Sequence, residues 1–262
     1  MKKYVTYHYK TKVTFSNVIH SHSFLLRCIP PNNEFQQVIS ETCRIYPAAD
    51  ISKGEDSFGN TMYSGCITGL HDSFEFEAQG EVKLSKPYLL AEKLNRIYLY
   101  PSAYTFPDEP VVRMLNTAAL NIADTVTVKA LKLSDTLYQM LEYSPFATNT
   151  NTNASEALKL GKGVCQDFAH VMIALCRCAG IAARYVAGFM EGEGYTHAWV
   201  EYYEEGCWKA IDPTHNRLVE TGYVKLSHGR DFEDCSIERG VFSGIVIQQL
   251  EVLLTVGMNE CQ

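Results

Sequence analysis

The sequence predicts an α+β fold in two parts. An antiparallel β domain is expected over residues 1–105, and over residues 106–262 a core in which one helix packs on an antiparallel sheet. Three observations predict this. Hydrophobic patterning changes near residue 105, from the period of two of strands to the three- and four-residue spacing of helices. The stretch Gly161–Gly180, GKGVCQDFAHVMIALCRCAG, is one glycine-bounded helical run. Two alternating segments, residues 195–203 and 207–213, flank a short loop and end at Pro213, as a β-hairpin does.

In the first part, Tyr4–Tyr9 and Lys12–Phe15 alternate, and Ser23–Ile29 runs into Pro30-Pro31. Phe35–Ile39, Cys43–Tyr46, Thr68–Ala78 and Gly80–Leu84 follow, with turn signals at Pro47, Gly54, Gly59-Asn60 and Gly65. Many short strands between turns suggest an antiparallel sandwich, a scaffold or docking surface without chemistry of its own. His20, His22 and His71 are expected at the surface or as caps rather than as ligands.

Residues 98–110, with Pro101, Pro107 and Pro110, read as a connector. Val111–Asp124 and Val126–Tyr143 are helical by pattern, and Leu131, Leu137, Met140 and Leu141 give the second an apolar stripe. Ser144–Asn153 reads as a polar loop, solvated or a lid, ahead of a short helix over Ala154–Leu160. In the central run, Phe168, Val171, Met172 and Leu175 recur at helical spacing, and Gly180 stands where a left-handed C-terminal residue is expected. Beyond the hairpin, Tyr223–Ser227, Val241–Ile247 and Gln249–Val256 read as strands. Arg230 and Asp231 lie in a loop expected to be braced by arginine–carboxylate pairing.

Cys165 falls at the first turn of the central helix. Unpaired N–H groups and the positive end of the helix dipole favour an anion there, so Cys165 is a candidate nucleophile. By itself it reads equally as a small buried apolar residue. If Glu204-Glu205 form a two-residue loop, with Tyr203 opposite Gly206, then His197 lies directly opposite Asp212, with Cβ atoms ~5 Å apart. Taken singly, His197 also reads as a satisfied strand histidine and Asp212 as a turn former before proline. Together the three supply a nucleophile, a base and a group that orients the base. His170 is the rival base in sequence, but five steps of ~100° turn it about 140° from Cys165.

The segments GVCQDFAH, GIAARYVAGF, HAWVEYY and WKAIDPTHN resemble the bacterial transglutaminase-like family, among the papain-like Cys-His-Asp enzymes. SHSFLLRCIPPNNEFQQV and DSFGN are similar to the β-rich domain that precedes the core in that family, and GRDFEDCSIERGVFSG to its closing segment. The resemblance implies a papain-like, transglutaminase-core fold with Cys165 as nucleophile, His197 as base and Asp212 as orienting carboxylate. The chain departs from the family pattern at Ala182, where proline is frequent, and at His215, which stands in place of asparagine. Neither position is one of the three, so the departures bear on the rim of the substrate site.

Composition sets the remaining bounds. With 46% hydrophobic and 20% charged residues the chain reads as soluble and globular, and a net charge of −7 argues against a nucleic-acid surface. The start MKKYVTYHYK lacks the apolar region of a secretory signal, and no apolar run is long enough to span a membrane. Nine cysteines without regular spacing read as reduced thiols of a cytoplasmic protein. Cys176 and Cys178 diverge on the helix, and neither metal-ligand spacing nor a phosphate loop is found, so no metal or cofactor is expected. The expected partner is a protein or peptide substrate. The expected chemistry is acyl transfer from an amide through a thioester, most simply to water. Glutamine–lysine crosslinking and a non-catalytic interaction role on this scaffold remain the alternatives. A thiol redox protein would want a CxxC pair, which the sequence lacks.

Overall fold

The computed structural model describes residues 3–192 and 194–260. The chain opens with β1 (Lys3–Leu26), a 24-residue strand. Val5, Tyr7, Tyr9, Thr11, Val13 and Phe15 are all buried along it, so the period of two holds over its first half. β2 (Gln36–Tyr46), β3 (Ile51–Glu55), β4 (Thr61–Ile67) and β5 (His71–Leu84) complete the N-terminal strands.

These strands form one curled antiparallel sheet, in the order β2-β5-β1-β4-β3. β1 is long enough to serve both of its halves: β5 pairs with Lys3–Thr14 and β4 with His22–Leu26. The register shifts between Thr14 and Ile19, where the chain passes from one half to the other. The bend gathers an aromatic cluster. His22 and His71, expected at the surface, are buried in it, with His22 Nδ1 3.2 Å from His71 Nε2 among Phe15, Phe24, Phe74 and Phe242. Alternating polar and apolar letters place a residue on a face; they do not say that the sheet curls over that face.

After β6 (Leu90–Ala91) and two short 3-10 turns come α1 (Glu109–Thr117), α2 (Val126–Met140), β7 (Glu142–Tyr143), α3 (Ala154–Leu160) and β8 (Lys162–Gly163). α4 (Cys165–Cys178) follows, buried from Asp167 to Arg177. It ends as the sequence indicates, with Gly180 at φ +75°. α4 packs on β9 (Ala183–Met190) and β10 (His197–Glu204). With β11 (Cys207–Asp212), β12 (Arg217–Leu218) and β13 (Tyr223–Gly229), these make the second antiparallel sheet, ordered β12-β11-β10-β9-β13.

The chain does not end in this layer. After α5 (Phe232–Cys235), β14 (Glu238–Ser243) and β15 (Gln248–Glu260) both pair with β1. β15 runs beside β1 from Phe15 to Lys3. A segment that the sequence groups with the core thus completes the first sheet, because its strands find an unpaired edge of β1 far away in sequence.

Two side-chain amides clasp the sheets together. Gln36 donates to Lys225 O (2.8 Å) and accepts from Lys225 N (2.9 Å). Asn60, at the end of the DSFGN segment, does the same with His228 O and N, both at 2.8 Å. Each clasp satisfies backbone groups on the edge of β13 away from β9, where no described strand pairs with it.

Within the second sheet lies a buried ionic cluster. The Glu201 carboxylate on β10 is fully buried, pairs with Arg184 of β9, accepts from Lys225 Nζ of β13 at 2.7 and 2.9 Å, and accepts from Tyr88. Arg184 also reaches Glu92 (2.9 Å) and lies over the Trp208 ring at 4.1 Å. Burial opposes its charge, but Arg184 and Lys225 outweigh it and hold the Glu201 carboxyl down to about 2. Burial and the neighbouring Arg184 outweigh the attraction of Glu201 at Lys225 and push its ammonium down to about 8.

Glu201→Gln should therefore cost on the order of 3–5 kcal/mol, because it leaves the buried Lys225 without its carboxylate and Arg184 with only Glu92. The carboxyl is depressed in the folded state, so its contribution is complete above the ordinary value of 4.5 and is lost as pH falls toward about 2. Urea midpoints measured against pH should fall across that window for the wild type and run flatter for the variant. An equal midpoint for the two at pH 7 would refute the role given to this cluster.

Candidate active site

Cys165 is the first residue of α4, and Val164 caps the helix in an extended conformation. The start is fixed by Asp167, whose Oδ2 accepts from Val164 N (2.8 Å) and from Thr148 Oγ1 (2.6 Å). The second bond ties the polar loop 144–153 to the helix entrance. Gly163 has to be glycine here, since a Cβ would come within 2.6 Å of Asp167 Cβ. Cys165 is half-buried and opens into a cavity of about 790 Å³ that Tyr143, Phe146, Thr148, Tyr195, His197 and His215 help to line.

The hairpin delivers His197 and Asp212, in a register that differs from the expected one. Glu204 pairs with Cys207 and Val200 with Ile211, so the loop is Glu205-Gly206 and Trp199, not His197, comes opposite Asp212. The reason is turn chemistry. A tight hairpin turn that matches strand twist needs positive φ at both central residues. Glu205 at +51° and Gly206 at +85° provide it, and glycine does so without steric cost. The displacement is two residues, and an even displacement keeps every side chain on its face. His197 and Asp212 become diagonal neighbours, and His197 Nε2 still lies 2.8 Å from Asp212 Oδ2. On β9, Gly188 pairs with His197, and a Cβ there would meet the Trp199 ring at 2.5 Å.

His197 is buried, and Asp212 has no exposed surface. With Nε2 on Asp212, the ring's other nitrogen, Nδ1, is the one left for Cys165, which lines the same cavity from the helix end. Burial disfavours the imidazolium, but the bonds to Asp212 and Cys165 outweigh it and raise His197 to about 10. Asp212 is held well below the usual carboxylate range: burial opposes its charge, and hydrogen bonds from His197, His215 and Tyr223 overcome it. These are the electrostatics of a thiol–imidazole pair stabilised by a buried carboxylate.

Two partners of Asp212 were not legible in the sequence. His215 Nδ1 lies 2.8 Å from Oδ2, and Tyr223 OH donates to the same oxygen at 2.7 Å. Arg217 Nε in turn donates to Tyr223 OH (3.0 Å). Oδ1 accepts from the backbone N–H groups of Thr214 (2.9 Å) and His215 (3.3 Å), the turn expected of an Asp before proline. The oddity of His215 in WKAIDPTHN was a usable signal; nothing near Tyr223 in sequence pointed to Asp212. Thr214 Oγ1 is buried without a partner and also lines the cavity.

His170 does point elsewhere. It is fully buried between Tyr104 and Tyr185, its Nε2 accepts from Phe232 N (3.2 Å), and burial pushes it down to about 3. The GRD loop is braced as expected. Arg230 forks onto Asp234 at 2.7 and 2.9 Å, and Asp231 caps α5. Gln166 turns outward and donates to Thr150 O (3.1 Å).

A cysteine at a helix start, a hairpin histidine lining the same cavity and a buried aspartate behind the ring stand together on a papain-like α+β fold. The family is narrower. The model of the bacterial transglutaminase-like N-terminal region matches residues 5–83, and that of the transglutaminase-like superfamily core matches residues 113–213. An uncharacterized protein of Mycobacterium leprae is 30% identical over 256 residues, covering 88% of this chain and 90% of its own length. The chain belongs to the transglutaminase-like superfamily. A protein-glutamine gamma-glutamyltransferase of Pseudomonas aeruginosa is 34% identical over 104 residues, 32% of this chain and 16% of that protein. The fold is that of a chain from Cytophaga hutchinsonii described as a candidate cysteine protease, with a TM-score of 0.81, 23% identity, and coverage of 100% of this chain and 92% of the other.

The Asp212 cluster makes a measurable claim. Tyr223→Phe should destabilise the fold by about 1.5–3 kcal/mol, the range for a hydrogen bond to a charged group. In a double-mutant cycle with Asp212→Asn, denaturant unfolding should give a coupling of at least ~0.5 kcal/mol. Additive effects would mean that the phenol does not support the carboxylate.

Proposed function

We propose that this protein is a cysteine-dependent acyl-transfer enzyme acting on peptide or glutamine amides. The observation that carries the reading is His197, bound through Nε2 to a buried Asp212 and lining one cavity with Cys165 at a helix start. The Cys165 thiolate adds to the amide carbonyl carbon. The C–N bond then breaks as the His197 imidazolium gives its proton to the departing ammonia or amine. Asp212 fixes the ring tautomer and stabilises its cation. The backbone N–H of Cys165 is one donor to the oxyanion. The resulting thioester is released by a nucleophile whose proton returns to His197. Water as that nucleophile gives hydrolysis, our preferred outcome, since it needs no second binding site. A lysine amine gives crosslinking instead, and the similarity of the core to a protein-glutamine gamma-glutamyltransferase favours that second reading.

Incubation with glutamine and peptide-amide donors should give a protein adduct at Cys165 by mass spectrometry. Added primary amine should be incorporated if crosslinking is the true outcome and ignored if hydrolysis is. Cys165→Ala should abolish turnover. His197→Ala should cost at least ~10²–10⁴-fold in kcat, the usual worth of acid–base assistance. Asp212→Asn should fall between the wild type and that loss, and His170→Ala should be mild. A chain that forms no adduct with any donor would support a non-catalytic interaction role. A folded His170→Ala as inactive as His197→Ala would reassign the base.

A further inference from the structure

The sequence offered no metal-ligand spacing, because the residues concerned lie three and fifteen positions from Asp212. The fold brings them together. His197 Nε2, Asp212 Oδ2 and His215 Nδ1 lie within 4.8 Å of one another, and each nitrogen is 2.8 Å from the same carboxylate oxygen. We propose that these three atoms form an inhibitory site for a borderline transition-metal ion, best matched by Zn²⁺.

The donor set decides the ion. Two imidazoles and one carboxylate suit zinc and its neighbours, whereas calcium and magnesium require oxygen ligands. Zinc holds nitrogen and oxygen donors at about 2.0–2.2 Å, which sets neighbouring donors of a tetrahedral site ~3.4 Å apart. The two spacings of 2.8 Å to Asp212 have to open by about half an ångström, while the two nitrogens, within 4.8 Å of each other, have to close to about the same ~3.4 Å; His215, the more exposed ring, is the one that has to turn inward, and water can complete the shell. There is also a way in. The His215 side chain is 33% exposed and lines the same cavity as Cys165, so an ion reaches His215 first and the buried pair behind it second.

Binding replaces the protons that now sit between the rings and Asp212, so both imidazoles bind in their neutral form and the displaced protons leave to solvent. No redox step is involved. Metal on Nε2 separates His197 from Asp212 and prevents the ring from becoming a cation, while Nδ1 keeps its direction toward Cys165. The inhibition rests on the acyl-transfer reading above; the binding does not. The site also differs from ordinary capture of metal by a reactive thiol, because its three ligand atoms come from His197, Asp212 and His215 and Cys165 is not among them.

That difference is the test. Zn²⁺ binding to the full-length protein is measured by calorimetry for Cys165→Ala and for Cys165→Ala combined with His215→Asn, with circular dichroism to establish that both fold. Cys165→Ala should retain a one-to-one site, and adding His215→Asn should weaken it by at least ~10–100-fold, since even outer-shell changes cost that much. Ca²⁺ and Mg²⁺ should not compete. Loss of binding in Cys165→Ala would make the thiol the ligand and overturn the proposal. Undiminished binding in the double variant would place the ion elsewhere and overturn it equally. If wild-type turnover is found, Zn²⁺ should suppress it and a chelator should restore it; turnover unaffected by a saturating ion would overturn the inhibitory role.

Discussion

One buried carboxylate underlies the geometry of the second sheet. Glu201 has no exposed surface and meets Arg184 from one neighbouring strand, Lys225 from the strand beyond, and Tyr88 from the segment leading into the core. Such a group is weak evidence for stability by itself, because desolvation offsets much of the attraction. Its stronger effect is on register. A slip of β9 against β10 would separate Glu201 from Arg184 and leave charges buried alone, an outcome far costlier than a displaced apolar contact. Four residues back along β10 is His197, so the constraint that holds the sheet also fixes where the imidazole stands.

The same dependence reaches the first sheet. Lys225 is bonded through its ammonium to Glu201 and through its backbone to the Gln36 amide, so β13 belongs to both structures. Phe189 on β9 packs on Tyr7 and Tyr9 of β1 at 5.4 and 5.2 Å. The β-rich front half is thereby a rigid backing for the strands that carry His197 and Asp212. Among the described residues no group from its strands lines the cavity at Cys165, so it acts on the candidate site through the position of the second sheet.

At the site itself the organising atom is Asp212 Oδ2, which accepts from two imidazoles and a phenol. Three donors on one oxygen fix its direction, and that direction fixes the tautomer of His197. The order of effects is clear in the directions of the shifts. Burial alone would neutralise both His197 and Asp212, and their mutual hydrogen bond reverses the outcome for each. The thiol enters the same cavity from the helix start, which Asp167 and Gly163 hold.

Local signals were enough for much of this. The period of two in β1, the helical spacing after Cys165, the Gly180 terminus and the Asp-Pro turn at Asp212 each depend on residues a few positions apart. The pairing of His197 with Asp212 survived a register wrong by two, because strand faces repeat every two residues and the error was even. The sequence alone could not tell Glu204-Glu205 from Glu205-Gly206 by polarity; the requirement for positive φ told them apart. What only the tertiary structure decided joins distant segments: β14 and β15 completing the sheet around β1, His22 against His71 in a closed aromatic cluster, Gln36 and Asn60 clasping β13, and Tyr223 and His215 converging on Asp212. None of these leaves a periodic trace, because a long-range contact depends on how the chain curls, and curl is set by the sum of packing rather than by any one stretch of residues.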